Sequence, residues 1–234
     1  MKKILCSIFC LMIFMTANCY AAELPLRVVS DYFYFSDNYA CYNALVVNDG
    51  DKELYVADGN LKFYNEYGTY MEKLEINAVT PAFLKPGEYI YYSGCPESTY
   101  FSVDQQPANI TFELNDYRNQ YKNTDNHVFR CDKAELVFDN WEYDQKRNYV
   151  DVTFTNRTNE VLSDYSFAIA LFDENKNIIH VKKDGILFNN IKFLIPPNNT
   201  VILRIPFNSY NFSELQKENI VPVFADALIK YETH

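Results

Sequence analysis

Through most of this chain apolar and polar residues alternate one for one. In "YVDVTFTN", residues 149–156, Val150, Val152 and Phe154 fall on one side and Asp151, Thr153 and Thr155 on the other, the period of a half-buried strand. The polar turn Asn156-Arg157-Thr158-Asn159 follows, and "YSFAIALFD" resumes the alternation with Phe167, Ile169 and Leu171 before "ENKN" supplies another turn. "AELVFDNWEYD" (134–144) precedes these segments, and "TVILRIPF" (200–207) and "VPVFADALIKYE" (221–232) follow them. The first half repeats the plan in "VVSDYFYFSD" (28–37), "YNALVVND" (42–49), "GNLKFYNEYG" (59–68), "GEYIYYSG" (87–94) and "ANITFELND" (108–116). The chain shows no long segment of period 3.6; one helical turn fits "NFSELQKEN" (211–219), with Asn211 or Ser213 as its cap. Short strands without intervening helices predict an all-β fold of antiparallel sandwiches of the immunoglobulin-like kind.

Sliding the chain on itself by 108 positions brings the halves into correspondence without a gap: Asp31 on Asp139, Phe33 on Trp141, Val46 on Phe154, Asn48 on Asn156, Leu54 on Leu162, Tyr64 on Phe172 and Asn65 on Asp173. With two further residues inserted, "FLKP" (83–86) meets "FLIP" (193–196). The expected organisation is two tandem sandwiches, 23–122 and 128–234, joined by the polar stretch "NQYKNTDNH" (119–127).

The shared pattern resembles the FxLYD family of bacterial extracytoplasmic immunoglobulin-like domains. In that family a strand ends in Asn, a polar turn follows, the next strand ends in Leu-Tyr-Asp or similar, and a Pro-Gly turn precedes another strand. Here Asn156 is followed by Leu171-Phe172-Asp173 and Pro196-Pro197, and Asn48 by Phe63-Tyr64-Asn65 and Pro86-Gly87. Phe172 stands where the family often has Tyr, Ile169 where it has Phe, and Pro197 replaces the Gly. The resemblance implies an exported accessory or interaction module, and it brings no catalytic residues with it. Physically, Asn48, Asn156 and Asp173 suit strand ends at which a side chain bonds the following backbone.

Residues 1–22 have the form of a secretory signal peptide: Lys2 and Lys3, an apolar run from Ile4 to Met15, then Ala17, Ala21 and Ala22. That apolar run is too short to span a bilayer, so no membrane insertion is expected after its removal. The location predicted is secreted or periplasmic. Loss of Lys2 and Lys3 with the leader takes the formal net charge from −10 to −12. An acidic surface without a basic block excludes nucleic acid and anionic lipid as partners.

Beyond the leader the cysteines are Cys41, Cys95 and Cys131. The strand holding Cys41 starts where the antiparallel "GEYIYY" strand ends, beside Cys95, which predicts a Cys41–Cys95 disulfide contributing about 4 kcal/mol by loop entropy. Tyr149 stands at the place of Cys41 in the second half. Cys131 is left over, and His127, four residues away in a loop, is too thin a basis for a dyad with it. The three histidines, His127, His180 and His234, form no metal motif, and no P-loop, GxSxG or GxGxxG occurs, so catalytic residues, metals and cofactors are expected to be absent.

Tyrosine is the residue type that points to recognition, with 20 in the chain. If Phe33 and Phe35 face inward, Tyr32 and Tyr34 face outward; Tyr89 and Tyr91 likewise oppose Ile90 and Tyr92. These four are the candidate binding residues, for a protein or a cell-envelope glycan; a carbohydrate-binding module using the same rings is the alternative. The bland reading is that the rings cover a neighbouring sandwich.

Overall fold

The computed structural model describes residues 25–115, 127–138, 148–163, 165–184, 194–207, 215 and 219–231. The stretch read as a leader, Trp141 and most of the stretch read as linker lie outside them. The described residues form an all-β protein of antiparallel sheets. In chain order the strands are β1 (Leu26–Ser36), β2 (Tyr39–Asn48), β3 (Leu54–Tyr64), β4 (Tyr70–Leu84), β5 (Tyr89–Gly94), β6 (Asn109–Leu114), β7 (His127–Arg130), β8 (Lys133–Phe138), β9 (Asn148–Thr155), β10 (Tyr165–Phe172), β11 (Ile178–Asp184), β12 (Thr200–Pro206) and β13 (Phe224–Tyr231). His127, the last residue of that linker stretch, opens β7, where it meets Phe83 of β4 in the one parallel bridge among the described strand pairs.

Packing sorts these strands into layers. In the first half β1-β2-β5 hydrogen-bond in that order, as do β4-β3-β6. Between the two lie Phe35, Tyr42, Ala44 and Val46 from one side and Leu61, Phe63 and Ile76 from the other. The second half has the same two orders, β8-β9-β12 and β11-β10-β13, with β7 added beyond β13. Val150, Val152, Phe154 and Ile205 meet Phe167, Ile169, Leu171 and Ile229 there.

The correspondence between the halves extends to individual hydrogen bonds. Asn48 Nδ2 donates to the carbonyls of Lys52 (2.8 Å) and Leu84 (2.9 Å), and its Oδ1 accepts from Gly50 N (3.0 Å). Asn156 Nδ2 donates to Glu160 (2.8 Å) and Ile195 (2.8 Å), and its Oδ1 accepts from Thr158 N (2.9 Å). Both amides are buried, so these bonds satisfy groups that would otherwise be costly to bury. Asn65 Oδ1 caps the amides of Tyr67 and Thr69, and Asp173 Oδ1 those of Asn175 and Asn177, each beside a left-handed residue, Gly68 in one turn and Lys176 in the other.

One correspondence shifts by a residue from the sequence reading. Gly87 N donates to Asn48 O, and Asn198 N to Asn156 O, both at 2.8 Å, with left-handed φ of 82° and 61°. Pro86-Gly87 therefore matches Pro197-Asn198, not Pro196-Pro197, and three residues are inserted instead of two. The left-handed position requires Gly or Asn, which a match on Phe-Leu and Pro letters does not weigh.

The outer faces of two inner layers meet. β11 packs across β1, β2 and β5, and Ala168, Ala170, Phe172, Val181 and Leu228 of the second half belong to the core of the first. The first core is thus completed by the second half, while the second core is its own apart from Tyr32, which packs against it.

Candidate functional site

The face carrying the four candidate tyrosines is the one that the second half covers. Phe33 and Phe35 do point into the first sandwich, so Tyr32 and Tyr34 point away from it, with ring centroids 5.6 Å apart, but both are half-buried. Tyr91 is 0 % exposed, and its hydroxyl donates to Asp226 Oδ2 at 2.7 Å. The half-buried Tyr89 donates to the same oxygen, and Arg130 Nε reaches Asp226 Oδ1 at 3.1 Å. Burial first and Asp226 second push the Tyr91 phenol well above its ordinary range; Tyr89 rises through burial and its bond to Asp226, and Asp226 with Tyr89 raises Arg130. Asn43 adds to this seam: buried on β2, its Oδ1 accepts from Ser93 Oγ (2.9 Å) and from Val181 N (3.1 Å). Tyr32, Tyr89 and Tyr91 belong to a contact between halves, and Tyr34 is half-buried beside Tyr32, so the four do not form a free recognition patch. Residues far apart in sequence provide that cover, which strand alternation alone does not reveal.

Cys41 and Cys95 are disulfide-bonded. They tie down one end of the first sandwich, where three loops converge. The β1–β2 turn meets the β5–β6 loop through Asn38 O accepting from Ser98 N (2.8 Å), Asp37 O from Val103 N (2.8 Å) and Asn38 Nδ2 donating to Glu97 Oε1 (2.7 Å). The β3–β4 hairpin joins them through Ala108 N on Tyr64 O (2.9 Å), and the buried Glu72 at the start of β4 accepts from Thr99 N and Thr99 Oγ1, each at 2.8 Å. Phe101 closes the floor against Phe63, centroids 5.6 Å apart.

On this fixed end stand tyrosines that strand periodicity did not single out: Tyr39 (46 % exposed), Tyr67 (83 %), Tyr70 (52 %) and Tyr100 (55 %), with Val103 beside them. Two of the four, Tyr67 and Tyr100, occupy a turn and a loop, and Tyr39 and Tyr70 open their strands. A large ring in a turn, flanked by Gly68 or Pro96, has no core to enter, and that was the legible signal. The equivalent hairpin of the second half, Asp173 to Asn177, carries no aromatic residue.

Chemistry-bearing groups elsewhere are inward. Cys131 is buried and unbridged, and burial first, then Asp226 and Asp132, drive its thiol far up, away from the nucleophilic thiolate. His180 is pushed down to about 4 by burial and by Lys182, so it stays neutral at ordinary pH. Among the described residues no group of three His, Cys, Asp or Glu side chains stands together as metal ligands. Asp31 is engaged by Tyr42 at 2.9 Å, and Asp37 lies in the loop end. No described helix is long and apolar enough to cross a membrane.

No family model matches the chain, and no curated protein does. Among solved structures it is similar to red sea bream transglutaminase at 12% identity and a TM-score of 0.20, covering 78% of this chain and 27% of that one, a likeness too low to carry any argument about activity.

Proposed function

We propose that this chain is an exported, non-enzymatic recognition protein, built from two copies of one sandwich, that binds a protein or cell-envelope component through the loop end of its first copy. The observation carrying the reading is the set Tyr39, Tyr67, Tyr70 and Tyr100, held in solvent on three loops that a disulfide and a buried carboxylate immobilise. Rings presented on a rigid frame contribute large contact area at low cost in side-chain entropy. Duplication is supported by the repeated strand orders and the matching Asn48 and Asn156 bonds. Export is supported by the leader-like residues 1–22 and by a disulfide, which persists in oxidising compartments. The likeness of the strand-and-turn pattern to FxLYD domains agrees with an accessory role.

The test immobilises the chain and a variant carrying Tyr→Ser at all four positions, and compares what each retains from a cell-envelope extract. The variant is first checked for an unchanged near-ultraviolet circular dichroism spectrum. Loss of retained partner in a folded variant is expected; equal recovery overturns the assignment of this end.

A further inference from the structure

The three loops that carry the exposed tyrosines also carry Asp37, Glu66, Glu97 and Asp104, all exposed. Residues 36–39, 64–70 and 94–109 contain no Lys or Arg. The opposite end of the same sandwich differs: there Arg27 pairs with Asp49, and Lys52 and Lys85 stand among Asp51, Glu53 and Glu88. Carboxylates at the loop end thus have no cation on their own loops to neutralise them, and the exposed rings stand on the same loops.

We infer that the surface meeting this end is cationic, a Lys- or Arg-bearing segment of a protein partner; this rests on the recognition reading above. A ring face and a carboxylate side by side form the pair of groups that a guanidinium engages, by stacking and by charge-assisted hydrogen bonds. The described residues contain such an arrangement. On β9 and β12 the Arg204 guanidinium lies 3.8 Å over the Tyr149 ring while bonding both oxygens of Asp151 at 2.8 Å. At the loop end the ring and the carboxylate are present and the cation is left to the partner. Each exposed ring–cation contact is worth about two- to fivefold in affinity, and several on one frame multiply. The uncompensated charge speeds encounter with a basic segment and repels polyanions.

The experiment is fluorescence anisotropy with labelled oligo-arginine and oligo-lysine peptides, with oligo-glutamate and a neutral chito-oligosaccharide as comparison probes. One variant carries Asp37→Asn, Glu66→Gln, Glu97→Gln and Asp104→Asn; a second makes the same change in charge at the opposite end, through Asp49→Asn, Asp51→Asn, Glu53→Gln and Glu88→Gln. Oligo-arginine is expected to bind more tightly than oligo-lysine, to weaken about tenfold in the loop-end variant and less than about twofold in the opposite-end variant, and to weaken as salt rises from about 0.05 to about 0.5 M. Equal losses in the two variants would make the binding bulk electrostatics and overturn the inference. So would binding of the neutral oligosaccharide with none of the basic peptides. A partner retained from extract that is lost with the Tyr→Ser variant yet kept by the loop-end carboxylate variant leaves recognition standing and removes its cationic character. Equal retention by both variants removes recognition as well.

Discussion

The two halves share one strand order yet differ in what their equivalent outer faces carry. On β2 the outward residues are Asn43, Leu45 and Val47, and on β9 they are Asp151, Thr153 and Thr155. On β3 they are Asn60, Lys62 and Tyr64, where β10 has Ala168, Ala170 and Phe172. The first half's β2 face and the second half's β10 face are apolar and meet; their counterparts on β9 and β3 are polar and face outward, laced by Arg204–Asp151 and Lys62–Glu113 ion pairs. The apolar faces of matched strands are the ones in contact, and polar residues stand at the matched positions that face outward.

The largest expected loss tests a feature confined to one copy. Replacing Cys41 and Cys95 by Ala should cost about 4 kcal/mol in urea unfolding by the loop-entropy relation. The matched residues Tyr149 and Pro206 lie opposite each other across β9 and β12 without a covalent link, and an unchanged urea midpoint in the Cys41/Cys95 variant would deny that the first half depends on its bridge. Next comes an exchange at one matched position. Ala168→Asn places an amide in the closed seam and should cost about 3 kcal/mol, whereas Asn60→Ala, which gives up a 2.7 Å bond to Asn115, should cost about 1 kcal/mol; equal midpoints in urea would deny that the faces differ in burial. Asn48→Ala and Asn156→Ala should each cost about 2 kcal/mol, because each removes a donor from one buried and one partly buried carbonyl and the acceptor of a turn amide, and a disparity between them would weaken the equivalence of the turns. The pH response is one-sided. His180 titrates near 4 when folded against about 6.5 unfolded, so the unfolded chain takes up the proton first and stability falls as pH drops through that window. About 2 kcal/mol should be lost between about pH 7 and pH 5, and His180→Leu should flatten that limb of the melting-midpoint profile.

Much of this fold was legible because sheet packing writes itself locally. Period-two alternation located β9 and β10, the offset of 108 paired Asn48 with Asn156, and antiparallel logic placed Cys41 beside Cys95. β4 escaped notice because "YMEKLEINAVTPAFL" mixes charges with Pro81. The strand leaves β3 after Asn77, pairs with β5 at Ala78 and rejoins β3 at Ala82, so Pro81 falls where no ladder with β3 needs its missing N–H. The short β7 and β11 likewise gave no clean alternation. The tyrosine face was oriented correctly and its cover missed, although "FAIALF" held the clue: a strand apolar on both faces is one that has neighbours on both.

The shared first core also bears on synthesis. A ribosome delivers β1 to β6 before β10, β11 and β13 exist, so Leu45, Tyr89 and Tyr91 emerge on a sheet whose lid is still unmade. A fragment ending near residue 115 would keep that sheet uncovered permanently and should self-associate, whereas the full-length chain shields it as soon as its C-terminal strand docks.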